Sequence, residues 1–112
     1  MLALMSFLSL TFGEFQMTTK VVYNACYGGF GLSDKAVTRL KELGSTIDST
    51  YLPWEFPRHD PLLVQVVEEL KAEANTWASK LCIKEVSGPY RIDEYDGAET
   101  VYEPGDYAWV TP

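Results

Sequence analysis

Three glycines set between an apolar run and a capped helix are the first residues here whose spacing could do chemistry: Tyr27-Gly28-Gly29-Phe30-Gly31. Backbone without Cβ atoms can close on a ligand and aim amides at it, and a helix N-terminus just beyond adds partial positive charge. The loop is therefore a candidate anion site. GGFG matches neither GxGxxG nor the Walker spacing, so no established nucleotide motif is satisfied. The competing reading is a tight strand-to-helix turn with Phe30 plugged into the core. Arg58 could clamp a carboxylate or phosphate with its two-pronged guanidinium. Tyr27, Phe30 or Trp54 could stack on a base, and Asn24 is an amide inside an apolar stretch, as is Asn75. Either amide serves as a ligand contact or as a satisfied structural group. The candidate ligand-binding set is Asn24, Tyr27, Gly28, Gly29, Phe30, Gly31, Trp54 and Arg58.

Two other constellations could carry chemistry. Cys26 with His59 and Asp60 has the residue types of a nucleophile, a base and its orienter, although a thiol in a strand is ordinarily core and a lone histidine before a helix cap is ordinarily solvated. The acidic run Asp93, Glu94, Asp96, Glu99 and Glu103, interleaved with Tyr90, Tyr95 and Tyr102, could bind a divalent ion or perform acid–base work. Alternation along strands divides those acids between two faces, which favours a solvated face, and next a surface for a basic partner. With two cysteines, no CxxC and one histidine, neither a metal site nor a cofactor is expected. Cys26 and Cys82 read as reduced, buried thiols.

The elements that must position these residues follow from periodicity. Residues 20–26 (KVVYNAC) read as a strand. Ser33 and Asp34 cap a helix carrying Ala36, Val37, Leu40 and Leu43, stopped by Gly44. Residues 45–58 read as a short strand or extended segment interrupted by Pro53 and Pro57. Asp60-Pro61 opens a second helix, with Leu62, Leu63, Val66, Val67, Leu70, Ala74 and Trp77 on one face. Residues 80–86 return as a strand, and Asp96-Gly97 between two alternating runs signals a hairpin. Tyr107 and Trp109 are expected to dock. The predicted architecture is α+β: a small antiparallel or mixed sheet with a C-terminal Asp-Gly hairpin and two helices packed on one face.

A length of 112 residues allows one domain, and 46% apolar with 22% charged content fits a globular chain. The net charge of −7 argues against nucleic acid as a partner. The apolar stretch at residues 1–12 lacks a basic flank and a cleavage site and is too short to span a bilayer, so no membrane role is expected. The reading is a leader or disordered extension over residues 1–16, an extension from an upstream start, and a single domain over residues 17–112 with Met17 as the functional start.

Three stretches together carry a resemblance: Asn24-Ala25-Cys26-Tyr27-Gly28-Gly29-Phe30-Gly31-Leu32-Ser33, Arg58-His59-Asp60-Pro61-Leu62-Leu63-Val64 and Ile92-Asp93-Glu94-Tyr95-Asp96-Gly97. In combination they resemble a family of small bacteriophage-encoded proteins, over roughly residues 20–103. The resemblance implies a phage accessory protein in the host cytoplasm, of the counter-defence kind, some of which sequester nucleotide immune signals. No catalytic residue carries over from it. The resulting expectation is a non-enzymatic homo-oligomer that captures a small anionic ligand such as a nucleotide. The alternatives are an acidic inhibitor that binds a host protein and a small enzyme dependent on Cys26.

Overall fold

The computed structural model describes residues 18–53 and 55–107. Trp54, Trp109, the Tyr107 side chain and the leader expected at residues 1–16 lie outside the described residues.

The chain is α+β, with two helices and four strands in two antiparallel ribbons. Strand β1 (Thr19–Asn24) pairs with β2 (Leu81–Val86), Val22 opposite Ile83 and Tyr23 opposite Cys82. Strands β3 (Arg91–Tyr95) and β4 (Ala98–Tyr102) form the hairpin. Its turn takes Asp96 to φ 51° and Gly97 to φ 91°, the doubly left-handed geometry that Asp-Gly tolerates.

The β1–β2 ribbon is buried on both faces. Val21 and Val22 are adjacent, point to opposite sides and are both inaccessible to solvent. Val22 joins Leu32, Leu40, Leu63 and Val66 in the main core under the helices. Val21 joins Val86 and Val101 in a smaller core under the hairpin, with Tyr23, Tyr90 and Ile92 against it. The helices therefore cover one face of the ribbon, and the hairpin covers the other.

Helix α1 (Asp34–Glu42) starts as its sequence dictates: Ser33 Oγ accepts from Ala36 N–H at 3.1 Å, and Gly44 leaves the helix at φ 89°. Helix α2 (Pro61–Leu70) is capped by Asp60, whose carboxylate accepts from Leu63 N–H at 3.0 Å. It ends earlier than its apolar periodicity predicts. Lys71 turns to φ 53°, a 3₁₀ turn (Lys71–Ala74) follows, and Asn75 is extended and bridged to Leu32. The carbonyls of Glu73 and Ala74 go to Ser33 rather than up a helix. Trp77 thus leaves the buried face on which the 3.6-residue period placed it and stands 99% exposed.

The strand offered as one reading of residues 45–58 does not form among the described residues; the segment runs in turns. Pro53 and Pro57 donate no ladder hydrogen bond, and their carbonyls instead close turns onto Phe56 and Asp60. Two backbone bonds tie the segment down: Leu32 N–H to Thr50 O and Val22 N–H to Arg58 O, both 2.9 Å.

Candidate functional site

The glycine loop sits at the end of β1 and is filled by its own chain. A Cβ on Gly28 would lie 2.0 Å from the Ala78 carbonyl oxygen, so the turn at residues 76–79 closes onto it. A Cβ on Gly97 would lie 2.5 Å from both Gly29 N and Tyr27 O, so the hairpin turn closes on the opposite side. Gly31 is buried beside Thr76 and Thr50. These glycines permit chain to pack on chain.

Asn24 is the pin of this hub. Fully buried, it donates from Nδ2 to Cys26 O at 2.6 Å and Gly97 O at 2.8 Å, and its Oδ1 accepts from Lys80 N–H at 2.7 Å. Its own backbone N–H donates to Glu99 Oε1 at 2.9 Å. One side chain therefore joins β1, the hairpin turn and the approach to β2. Asn75 plays a related part, accepting from Leu81 N–H at 2.8 Å. The Asn24 amide has both its donor and its acceptor in structural use, and Asn75 has its acceptor so engaged.

Arg58 is held by Glu99, by the Phe30 ring and by the Val22 carbonyl, which accepts from its Nη1 at 3.4 Å. Its guanidinium makes a two-pronged ion pair with Glu99, at 2.6 and 2.8 Å, and lies face-on over the Phe30 ring, 3.9 Å from the centroid. Phe30 is half-buried and packs against the main core, so its ring serves as the floor beneath that guanidinium. The Glu99 side chain is only 7% exposed. Glu94 stands directly opposite Glu99 on β3 and is exposed, so alternation does not single Glu99 out, and the identity of its partner is a tertiary fact with no local signal.

Arg58 also lines an open cleft of about 810 Å³ between the proline-bearing segment and the hairpin. Leu52, Pro53, Phe56 and Pro57 form the apolar wall, while Tyr90, Arg91, Ile92, Glu94 and Glu99 form the other. His59 stands at its rim with Nδ1 2.7 Å from the Tyr90 hydroxyl, the rings meeting edge to face. Burial pushes the Tyr90 hydroxyl pKa above its ordinary value, with Arg58 pulling the other way. Arg91 pairs with Asp93 at 3.1 Å and lies over Tyr102. Tyr90 and Arg91 were not among the ligand residues expected from sequence, because neither belongs to a motif.

The expected ligand set is thus divided. Arg58 lies in the cleft with Phe30 beneath it, whereas Asn24, Tyr27, Gly28, Gly29 and Gly31 belong to the hub. Family models, curated proteins and solved structures give no match to this chain.

Cys26 is half-buried in the hub, and its carbonyl accepts from Asn24. His59 is engaged with Tyr90 and Asp60 caps α2, so the geometry assembles no relay on the thiol. Cys82, half-buried opposite Tyr23, is also a free thiol. The five acids disperse as well. Asp93 goes to Arg91, Glu94 to Gly97 N–H, Glu99 to Arg58, and Glu103 to Ser87 N–H, while Asp96 stands exposed in the turn.

Proposed function

We propose that this chain is a non-enzymatic binding protein that captures a small anionic ligand of nucleotide size in the cleft beside Arg58. The supporting observation is the cleft itself. Its 810 Å³ falls within the ~300–1,000 Å³ typical of ligand pockets. Its apolar wall of Leu52, Pro53 and Phe56 suits a flat ring, and Arg58, Arg91 and His59 supply the cationic and donor groups an anion needs. Arg58 is already neutralised by Glu99, so its part is to orient through the rigid ion pair. The exposed Arg91, whose pair with Asp93 is solvent-facing, meets the charge. The resemblance to phage proteins supports a nucleotide immune signal as the ligand and the host cytoplasm as the setting, and we propose that the protein acts as a homo-oligomer.

Native mass spectrometry of the purified chain against a panel of cyclic and ADP-ribose-derived nucleotides tests this. The expected result is a stoichiometric mass shift, released unchanged on denaturation and lost in Arg91→Ala. A shift that decays into products would make the protein an enzyme. No shift with any nucleotide would remove the reading.

A further inference from the structure

The geometry points to a second recognition surface, the aromatic-studded loop pole around the glycine hub, which takes a cationic, arginine- or lysine-bearing segment of a protein partner. Three large aromatic side chains stand exposed on three adjoining segments: Tyr27 in the glycine loop at 71%, Trp77 in the turn at residues 76–79 at 99%, and Tyr95 at the end of β3 at 73%. The adjacency is fixed by the close approaches of Gly28 to Ala78 and of Gly97 to Gly29 and Tyr27. Tyr51, also exposed, follows Thr50, which touches Gly31 from a fourth segment. Trp77, Tyr27, Tyr51 and Tyr95 all lie outside the lining of the Arg58 cleft, so this surface stands whether or not that cleft holds a ligand.

The turn that carries Trp77 is cross-linked by hydrogen bonds. Ala78 N–H donates to Thr76 Oγ1 at 3.1 Å, and Thr76 N–H donates to Ser79 Oγ at 2.8 Å. Ser79, itself buried, donates from Oγ to Gly31 O at 2.9 Å. The backbone that presents Trp77 is anchored, and exposed aromatics of this kind concentrate binding energy at protein interfaces. The charge around it selects the partner. The exposed Asp96 follows Tyr95 in the hairpin turn, Asp48 lies on the loop of Tyr51, and Lys80 is a cation on the Trp77 side. The whole chain carries −7. Aromatic faces beside carboxylates attract guanidinium and ammonium groups by stacking and by charge together.

The test is fluorescence anisotropy of labelled hexa-arginine titrated with the full chain, alongside hexa-glutamate, for wild type, Trp77→Ala and Tyr95→Ala. Trp77 is exposed, so its removal leaves the fold and the net charge intact, and an unchanged circular dichroism melt confirms this. Wild type is expected to bind hexa-arginine and not hexa-glutamate, with affinity falling on the order of tenfold in Trp77→Ala. Undiminished binding in Trp77→Ala and Tyr95→Ala would reduce the effect to diffuse charge attraction and overturn the proposal. Failure of wild type to bind hexa-arginine would overturn it as well.

Discussion

An alanine at position 28 would place its Cβ 2.0 Å from the Ala78 carbonyl oxygen, whereas one at position 29 meets no atom within 4 Å and suffers only from a φ of 104°. The two neighbours are glycine for different reasons, close approach in one and handedness in the other. Gly28→Ala is expected to cost about 3 kcal/mol in urea unfolding and Gly29→Ala about 1 kcal/mol. Equal costs would show that the turn at residues 76–79 does not pack on the loop. The Arg58–Glu99 pair makes a second residue-scale case. It is mostly desolvated, so Arg58→Ala leaves an orphaned carboxylate and is expected to cost roughly 3 kcal/mol. Arg58→Met with Glu99→Leu should recover part of that and not all, because Asn24 N–H also loses its acceptor. A double-mutant cycle on thermal or urea unfolding measures the coupling.

Among the elements, α2 ends under strain. Lys71 adopts φ 53° and ψ −123°, a region that favours glycine. Lys71→Gly is expected to stabilise the fold by about 1 kcal/mol, read as a raised urea midpoint. Surface ion pairs join α1 to α2 and to the 3₁₀ turn beyond it. Arg39 holds the Glu69 carboxyl below its ordinary 4.5, with Gln65 helping, and Lys35 does the same for Glu73. Groups with lowered folded-state values bind fewer protons folded than unfolded. Their contribution is therefore complete above about 4.5 and lost as pH falls through the lowered values. Urea midpoints taken down through that range are expected to fall more steeply for wild type than for Glu69→Gln with Glu73→Gln. The difference should be small, since these pairs are exposed.

For the whole molecule, the arrangement is a two-stranded ribbon covered by helices on one side and a hairpin on the other, with unequal cores. The hairpin side is held by Val21, Val86 and Val101 and by the Asn24 and Glu99 bonds. Val101→Ala is expected to cost about 2 kcal/mol and to raise hydrogen exchange in β3 and β4 before it does so in α1 and α2. Simultaneous opening of both halves would mean the hairpin has no separate stability.

Local chemistry determined much of this from the sequence alone. Ser33 and Asp60 as caps, Gly44 as a stop, Asp96-Gly97 as a hairpin turn and the α+β class all rest on residues within a few positions of each other. The failures are equally local in origin. A helical period carried Trp77 onto a buried face because periodicity cannot register a backbone reversal at Lys71. The extended reading of residues 45–58 could not show which groups would accept or supply their hydrogen bonds. What only the tertiary structure decided is who fills the space beside each residue. Gly28 and Gly29 look like ligand-loop glycines until Ala78 and Gly97 are found against them, and Arg58 looks like a free phosphate clamp until Glu99 arrives from 41 positions away. Chemical type is written in a residue, but its availability depends on neighbours that the fold brings from distant parts of the chain.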